Sequence, residues 1–91
     1  MTVKIFKLVT GEDLIGNATE NATDFTLKAP AVIMLQNTEK GMSVAIAPYA
    51  PMIEKNLVLY KTAIVSFGDP DLQLENEYNV RFGSGLVIAG A

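Results

Sequence analysis

Apolar residues recur at every second position along most of the chain, which is the period of a β-strand. In the first segment Val3 and Ile5 alternate with Phe6 and Leu8, so both faces of a first strand would be apolar. Such a strand is expected to be covered on both sides, as in a barrel at an interface. Similar patterns between polar breaks predict further strands at about residues 13–19, 25–35, 42–47 and 57–67.

Glycine and proline mark the places where these strands turn or bend. Gly11 closes the first strand in a turn, because glycine accepts a positive φ. Gly16 interrupts the second strand where a small barrel must bend sharply. Pro30 predicts a bulge or an edge in the third strand, and Pro48 and Pro51 bracket a rigid turn after the fourth.

One helix is predicted near the carboxyl end of the sequence. Asp69 is a suitable N-cap and Pro70 a suitable first helical residue. Leu74, Tyr78 and Phe82 then recur every four residues as one apolar face, and a Gly-Ser-Gly segment at 83–85 ends the helix before an apolar tail at 86–88. The sequence thus predicts a single mainly β domain over residues 1–91. A strongly bent, five-stranded antiparallel sheet or barrel would occupy about 3–67, and a short helix and tail about 69–91.

The composition is apolar for so small a domain. Hydrophobic residues make up 49% of the 91 positions and charged residues only 19%. A chain of this length has a modest interior, and soluble monomers rarely expose large apolar patches. We therefore expect the surplus to lie in interfaces between copies of the chain.

The sequence offers little catalytic chemistry. It has neither cysteine nor histidine, and its net charge of -3 has the wrong sign for bulk attraction to nucleic acid. The acidic pairs Glu12–Asp13 and Asp69–Asp71 lie at predicted turns and caps, where local roles explain them. We predict no enzyme, no metal site and no cofactor. No apolar run is long enough to cross a bilayer and the amino terminus lacks a signal-peptide pattern, so an intracellular protein without a membrane partner is expected.

The spacing of glycines in the opening segment is found in a known family. Leu8, Gly11, Leu14 and Gly16 form the pattern Leu-x-x-Gly-x-x-Leu-x-Gly, which resembles the first motif of the Sm and Sm-like proteins. The chain is similar in particular to small Sm-like proteins of cyanophage type, which share its opening and a Pro-aromatic-x-Pro element, here 48–51. The resemblance implies a five-stranded, strongly bent barrel that closes into a homo-oligomeric ring by pairing edge strands.

The resemblance also implies single-stranded RNA as a ligand, in phage or host RNA metabolism. The candidate contacts are Asn21, Asp24 and Phe25 in the loop before the third strand, Tyr49 for stacking, and Lys4, Lys7 and Lys61 for phosphates. Each also has a structural interpretation, as a core residue, a turn or a solvated strand residue. The arginine of the second family motif has no counterpart in segment 48–56. The alternative is a structural or protein-interaction ring without RNA binding, for example a phage-assembly or host-takeover adaptor.

Overall fold

The computed structural model describes residues 1–53 and 55–83. Its strands are β1 (Thr2–Leu8), β2 (Asp13–Glu20), β3 (Asp24–Thr38), β4 (Gly41–Pro48), β5 (Leu57–Tyr60) and β6 (Ile64–Gly68). A 3₁₀ turn (Lys61–Ala63) separates β5 from β6, and helix α1 (Leu72–Tyr78) continues into a wider helical turn (Asn79–Gly83). The predicted mainly β, antiparallel fold with one short helix is confirmed. The predicted tail at 86–88 lies outside the described residues.

The strand count differs from the prediction. The sheet has six strands in the order β4-β3-β2-β1-β6, and β5 pairs with β3 outside this path. The single fifth strand predicted over 57–67 is wrong, because its first part pairs with β3 and its last part with β1. Since β2 separates those two partners, the 3₁₀ turn is needed to redirect the chain. Among the described strands β4 and β6 remain at opposite ends, so hydrogen bonding does not close the predicted barrel.

The bend in the sheet lies where the pairing of β2 with β3 is interrupted. Ile15 pairs with Ala31 and Asn17 with Lys28, so Gly16 alone faces two residues, Ala29 and Pro30. This is a β-bulge, which bends a strand and increases its twist. A Cβ atom on Gly16 would lie 3.4 Å from the Leu27 side chain and 3.6 Å from the Pro30 Cα, which is ordinary van der Waals contact, so the bend itself leaves room for a small side chain here.

One face of the bent sheet carries the first of two cores. Three aromatic rings meet in it: Phe6 and Phe25 pack edge to face with centroids 4.9 Å apart, and Phe67 lies 5.0 Å from Phe25. Its buried members are Phe6, Leu8, Leu14, Ala18, Phe25, Leu27 and Leu59. Because Phe6 and Leu8 point to this side, one apolar face of β1 is accounted for.

The second core lies on the opposite face of the sheet, under α1. Tyr78 is fully buried there with Ile15, Ala31 and Ile46, and Leu74 and Phe82 pack against the same cluster. The predicted apolar face of the helix is therefore confirmed. The other face of β1 also lies here, since Val3 and Ile5 contact this cluster. Part of the apolar surplus is thus buried by the chain's own helix.

The N-cap of the helix lies two residues later than predicted. The Asp71 carboxylate, not that of Asp69, accepts the Leu74 amide at 2.8 Å, and the helix starts at Leu72. Asp69 comes opposite Lys4 after β6 ends and forms an ion pair with it at 2.6 Å. Pro70 therefore precedes the cap, where its fixed φ and its restriction on Asp69 favour extended backbone.

Candidate functional site

Several of the predicted RNA contacts meet at the corner between β2 and β3. The side-chain amide of Asn21 donates to the Asp24 carboxylate at 2.8 Å and to the Thr26 hydroxyl at 3.0 Å. The Asn21 backbone amide donates to the Asp24 carbonyl at 2.8 Å. These bonds close the turn on itself, so Asn21 and Asp24 serve to shape the corner.

Phe25 and Lys61 lie next to this corner and touch each other. The Lys61 ammonium lies 5.5 Å from the centre of the Phe25 ring, and it also forms an ion pair with Glu20 at 2.8 Å. Phe25 itself is only 1% exposed, so its ring is a core side chain with a cation above it. No face of that ring is open for a base to stack on.

An aromatic side chain that the sequence reasoning missed completes this region. Phe67 is 49% exposed, although its ring packs on Phe25 and stacks on Phe6. A cavity of about 350 Å³ opens between Phe67, Phe25, Lys61 and the intervening part of β6. We call this the aromatic cavity. Strict alternation would place Phe67 on the face opposite Ile64. The bulge between them brings Phe67 back to the side of the first core, beside Phe6, so no local pattern in the sequence revealed it.

The other two predicted lysines do not join this region. Lys4 and Lys7 are an odd number of positions apart in β1, so their side chains point to opposite faces of the sheet. Each is neutralised by a carboxylate, Lys4 by Asp69 at 2.6 Å and Lys7 by Asp13 at 2.9 Å. The structure therefore does not bring Lys4, Lys7 and Lys61 together as one basic patch.

Tyr49 lies in a separate groove beside the turn that Pro48 and Pro51 bracket. Its backbone amide donates to the Pro30 carbonyl at 2.9 Å, and its half-buried ring packs against the first core. The groove has a volume of about 350 Å³. Of the predicted turn residues, Pro48 ends β4, Pro51 lies within the turn closed by the Ile53 amide and the Ala50 carbonyl, and Gly11 has φ 98°.

The acidic residues that could form a metal or acid–base site each bond to a nearby group of the chain instead. Glu12 accepts the Thr10 hydroxyl at 2.6 Å, Asp13 and Asp69 hold lysines, and Asp71 caps α1. Within residues 1–53 and 55–83 no three acidic side chains gather in a way that could hold a metal ion. The arrangement of these carboxylates therefore supports folding roles.

One ionisable group has a clearly shifted pKa. Burial raises the pKa of the Tyr78 phenol above 10.0, and a backbone hydrogen bond at Asn17 acts weakly in the opposite direction. Its hydroxyl donates toward the carbonyls of Ala29 at 2.7 Å and Lys28 at 3.1 Å, which flank the bulge. Tyr78 is thus a structural tie between the helix and the bend in the sheet.

Comparisons with known proteins add no assignment to this geometry. No protein-family model matches the chain, and no curated protein matches it significantly. The helical segments in the described part of the chain are too short to span a membrane.

Proposed function

We propose that this protein is an Sm-like module that assembles head to tail into a homo-oligomeric ring and acts there as a structural or protein-interaction unit. The observation that carries the proposal is the pair of sheet edges at β4 and β6. Neither strand has a second partner among the described strands, and the two lie at opposite ends of the sheet. Unpaired edges are ready templates for another chain.

The side chains near these edges support association. Val44 on β4 is 53% exposed and Val65 on β6 is 65% exposed. Leu35 and Met42 lie near Val44 on the same face of the β3–β4 hairpin and are 61% and 64% exposed. An exposed apolar edge on a monomer favours aggregation, whereas a specific partner strand would bury it.

The two edges differ from each other, which favours a head-to-tail arrangement. β4 is a regular strand paired along eight residues with β3. β6 carries a bulge at Val65, because Ser66 pairs with Lys7 whereas Ile64 pairs with Leu8. An interface between two different surfaces is heterologous, and it generates a ring when its rotation closes.

Charge supports a role without nucleic acid. Lys4, Lys7 and Lys61 each lie within ion-pair distance of a carboxylate. A ligand phosphate would have to compete with these carboxylates, in a chain whose net charge is -3. We accordingly favour the structural or protein-interaction role over RNA binding, and propose no enzymatic activity.

Light scattering on the purified protein tests the assembly. We expect a particle several times larger than the 9.8 kDa protomer. Val44→Lys and Val65→Lys should each abolish it, because each places a charge at one edge. Val80→Lys is the matched control, since Val80 is 64% exposed on the helical segment and lies on no sheet edge.

Mixing the two edge variants tests whether β4 of one copy pairs with β6 of the next. Val44→Lys retains an intact β6 edge and Val65→Lys an intact β4 edge, so an equimolar mixture should form heterodimers that grow no further. A monomeric wild-type protein would refute the assembly. A Val44→Lys variant that still self-associates fully would refute the use of β4.

RNA binding remains a second candidate because of the aromatic cavity. The exposed face of Phe67 could stack on a base, and such stacking contributes about 1–3 kcal/mol per base. Fluorescence anisotropy with oligo-U and oligo-A, at low and at physiological salt, tests this. Binding that survives physiological salt, falls with Phe67→Leu and is unchanged by Tyr60→Leu would support the candidate. Binding lost at physiological salt would leave only non-specific attraction.

A further inference from the structure

The groove beside Tyr49 carries chemistry that ring assembly does not use. It lies between the bulge of β3 and the loop after β4, within one chain. Its lining includes Lys28, Tyr49, Pro51, Ile53, Lys55 and Leu57. We call it the loop groove.

The charges of the loop groove are of one sign. Lys28 and Lys55 are the only charged side chains among its described lining residues. Neither forms an ion pair within residues 1–53 and 55–83, whereas Lys4, Lys7, Lys61 and Arg81 all do. In an acidic protein, two lysines on one groove that pair with no carboxylate of the described residues would attract an anionic ligand.

Prolines and a backbone hydrogen bond restrict the backbone around the loop groove. Pro30, Pro48 and Pro51 all contribute to its lining, and the Tyr49 amide ties the loop to the Pro30 carbonyl at 2.9 Å. Ala29 and Ala50, one on each side, both have φ 52°, a conformation that costs alanine about 1 kcal/mol or more. A groove whose shape is set before binding loses less entropy when a ligand is bound.

We propose that the loop groove binds an acidic, extended peptide segment of a partner protein. Aliphatic and proline walls suit alternate apolar side chains of such a segment, and the two lysines suit its carboxylates. Single-stranded RNA fits this lining less well, because base stacking needs open aromatic faces. Tyr49 is the only aromatic residue in the described lining, and it is half-buried against the first core.

The proposal concerns a site within one protomer, so it does not depend on ring assembly. Fluorescence anisotropy with the full chain tests it, using four labelled ten-residue peptides in which glutamate alternates with leucine, valine, proline or phenylalanine. Peptides with glutamine in place of glutamate serve as neutral counterparts. We expect at least one acidic peptide to bind, and its glutamine counterpart to bind about tenfold more weakly.

Variants then locate the binding. Lys28→Gln combined with Lys55→Gln should weaken binding of the acidic peptide about tenfold. Lys40→Gln is the matched control, because Lys40 is an exposed lysine in the turn between β3 and β4 and does not line the groove. Reversing both groove charges, with Lys28→Glu and Lys55→Glu, should transfer the preference to a lysine-containing peptide of the same design.

Three results would overturn the proposal. The first is no binding of any acidic peptide at concentrations up to about 1 mM, which would mean a binding free energy weaker than about 4 kcal/mol. The second is binding that the groove variants leave unchanged. The third is oligo-U binding that is tighter than peptide binding and depends on Lys28 and Lys55, which would assign the groove to nucleic acid. Light scattering on the same samples reports assembly separately, so loss of the ring and loss of peptide binding are distinguishable.

Discussion

Replacing Tyr78 with phenylalanine tests the link between the helix and the bend of the sheet. Tyr78 is the largest fully buried side chain among the described residues. Its hydroxyl donates toward the carbonyls of Ala29 at 2.7 Å and Lys28 at 3.1 Å. Ala29 is held at φ 52°, so these carbonyls belong to a strained segment that the helix stabilises.

The magnitude follows from what the substitution removes. Tyr78→Phe keeps the ring in place and deletes only the hydroxyl. A fully buried carbonyl left without its donor costs about 1–3 kcal/mol. Because these two hydrogen bonds are only partly buried, we expect a cost near the lower end of that range. For a domain of this size, each kcal/mol lowers Tm by about 4–8 °C. Tyr60→Phe is the matched control, because Tyr60 is 60% exposed and its substitution should change stability by less than about 0.5 kcal/mol.

The raised pKa of Tyr78 adds a pH dependence with a definite sign. In the unfolded chain the phenol ionises near its ordinary pKa of 10.0, whereas in the folded protein burial raises that pKa. Above pH 10 the folded state therefore holds a proton that the unfolded state has lost. Stability falls as pH rises through that window, by up to about 1.4 kcal/mol per pH unit. The Tyr78→Phe variant has no phenol at this position and does not lose stability in this way. The difference in the free energy of unfolding between wild type and variant should therefore narrow above pH 10.

Urea denaturation at a series of pH values measures both effects. The protomer concentration must be kept constant, because self-association shifts apparent stability. A variant as stable as wild type at pH 7 would show that the hydroxyl contributes nothing. A stability gap that stays constant or widens above pH 10 would contradict the raised pKa.

The remaining predictions concern positions whose local geometry sets the cost of substitution, and all are measured by urea denaturation. Gly11→Ala should destabilise the protein by about 1 kcal/mol, because φ is 98° there although space is open. Gly16→Ala should stay within about 1 kcal/mol of wild type, since its φ is ordinary and the nearest atom to a new Cβ lies at 3.4 Å. A larger loss of stability from Gly16→Ala than from Gly11→Ala would contradict the reasoning behind these two predictions. Asp71→Ala should cost about 1 kcal/mol by removing the cap of α1, whereas Asp69→Ala should cost less. Phe25→Ala should cost about 3–5 kcal/mol, because the ring is 1% exposed between two other rings.

The candidate site was only partly predictable from the sequence. Asn21, Asp24 and Phe25 were predicted as one group from their nearness in sequence, whereas Lys61 joins them only because β5 pairs with β3. Their roles depend on contacts between residues distant in sequence, such as Lys61 with Glu20. No local pattern reveals that a lysine is neutralised or that a ring is buried. For the same reason Phe67 and the loop groove were missed, since each depends on segments that meet only in the folded chain.

The sequence by itself determined the type and the apolar side of most elements. Alternation in β1 and the four-residue period of Leu74, Tyr78 and Phe82 are local properties, and both appear in the structure as two cores on opposite faces of one sheet. Only the tertiary structure decided how the last strand divides. Segment 57–67 is rich in apolar residues and was predicted as one strand, but its ends pair with β3 and β1, which β2 keeps apart. The chain must turn at Lys61–Ala63 to satisfy both sets of backbone hydrogen bonds, and that requirement comes from the positions of distant strands.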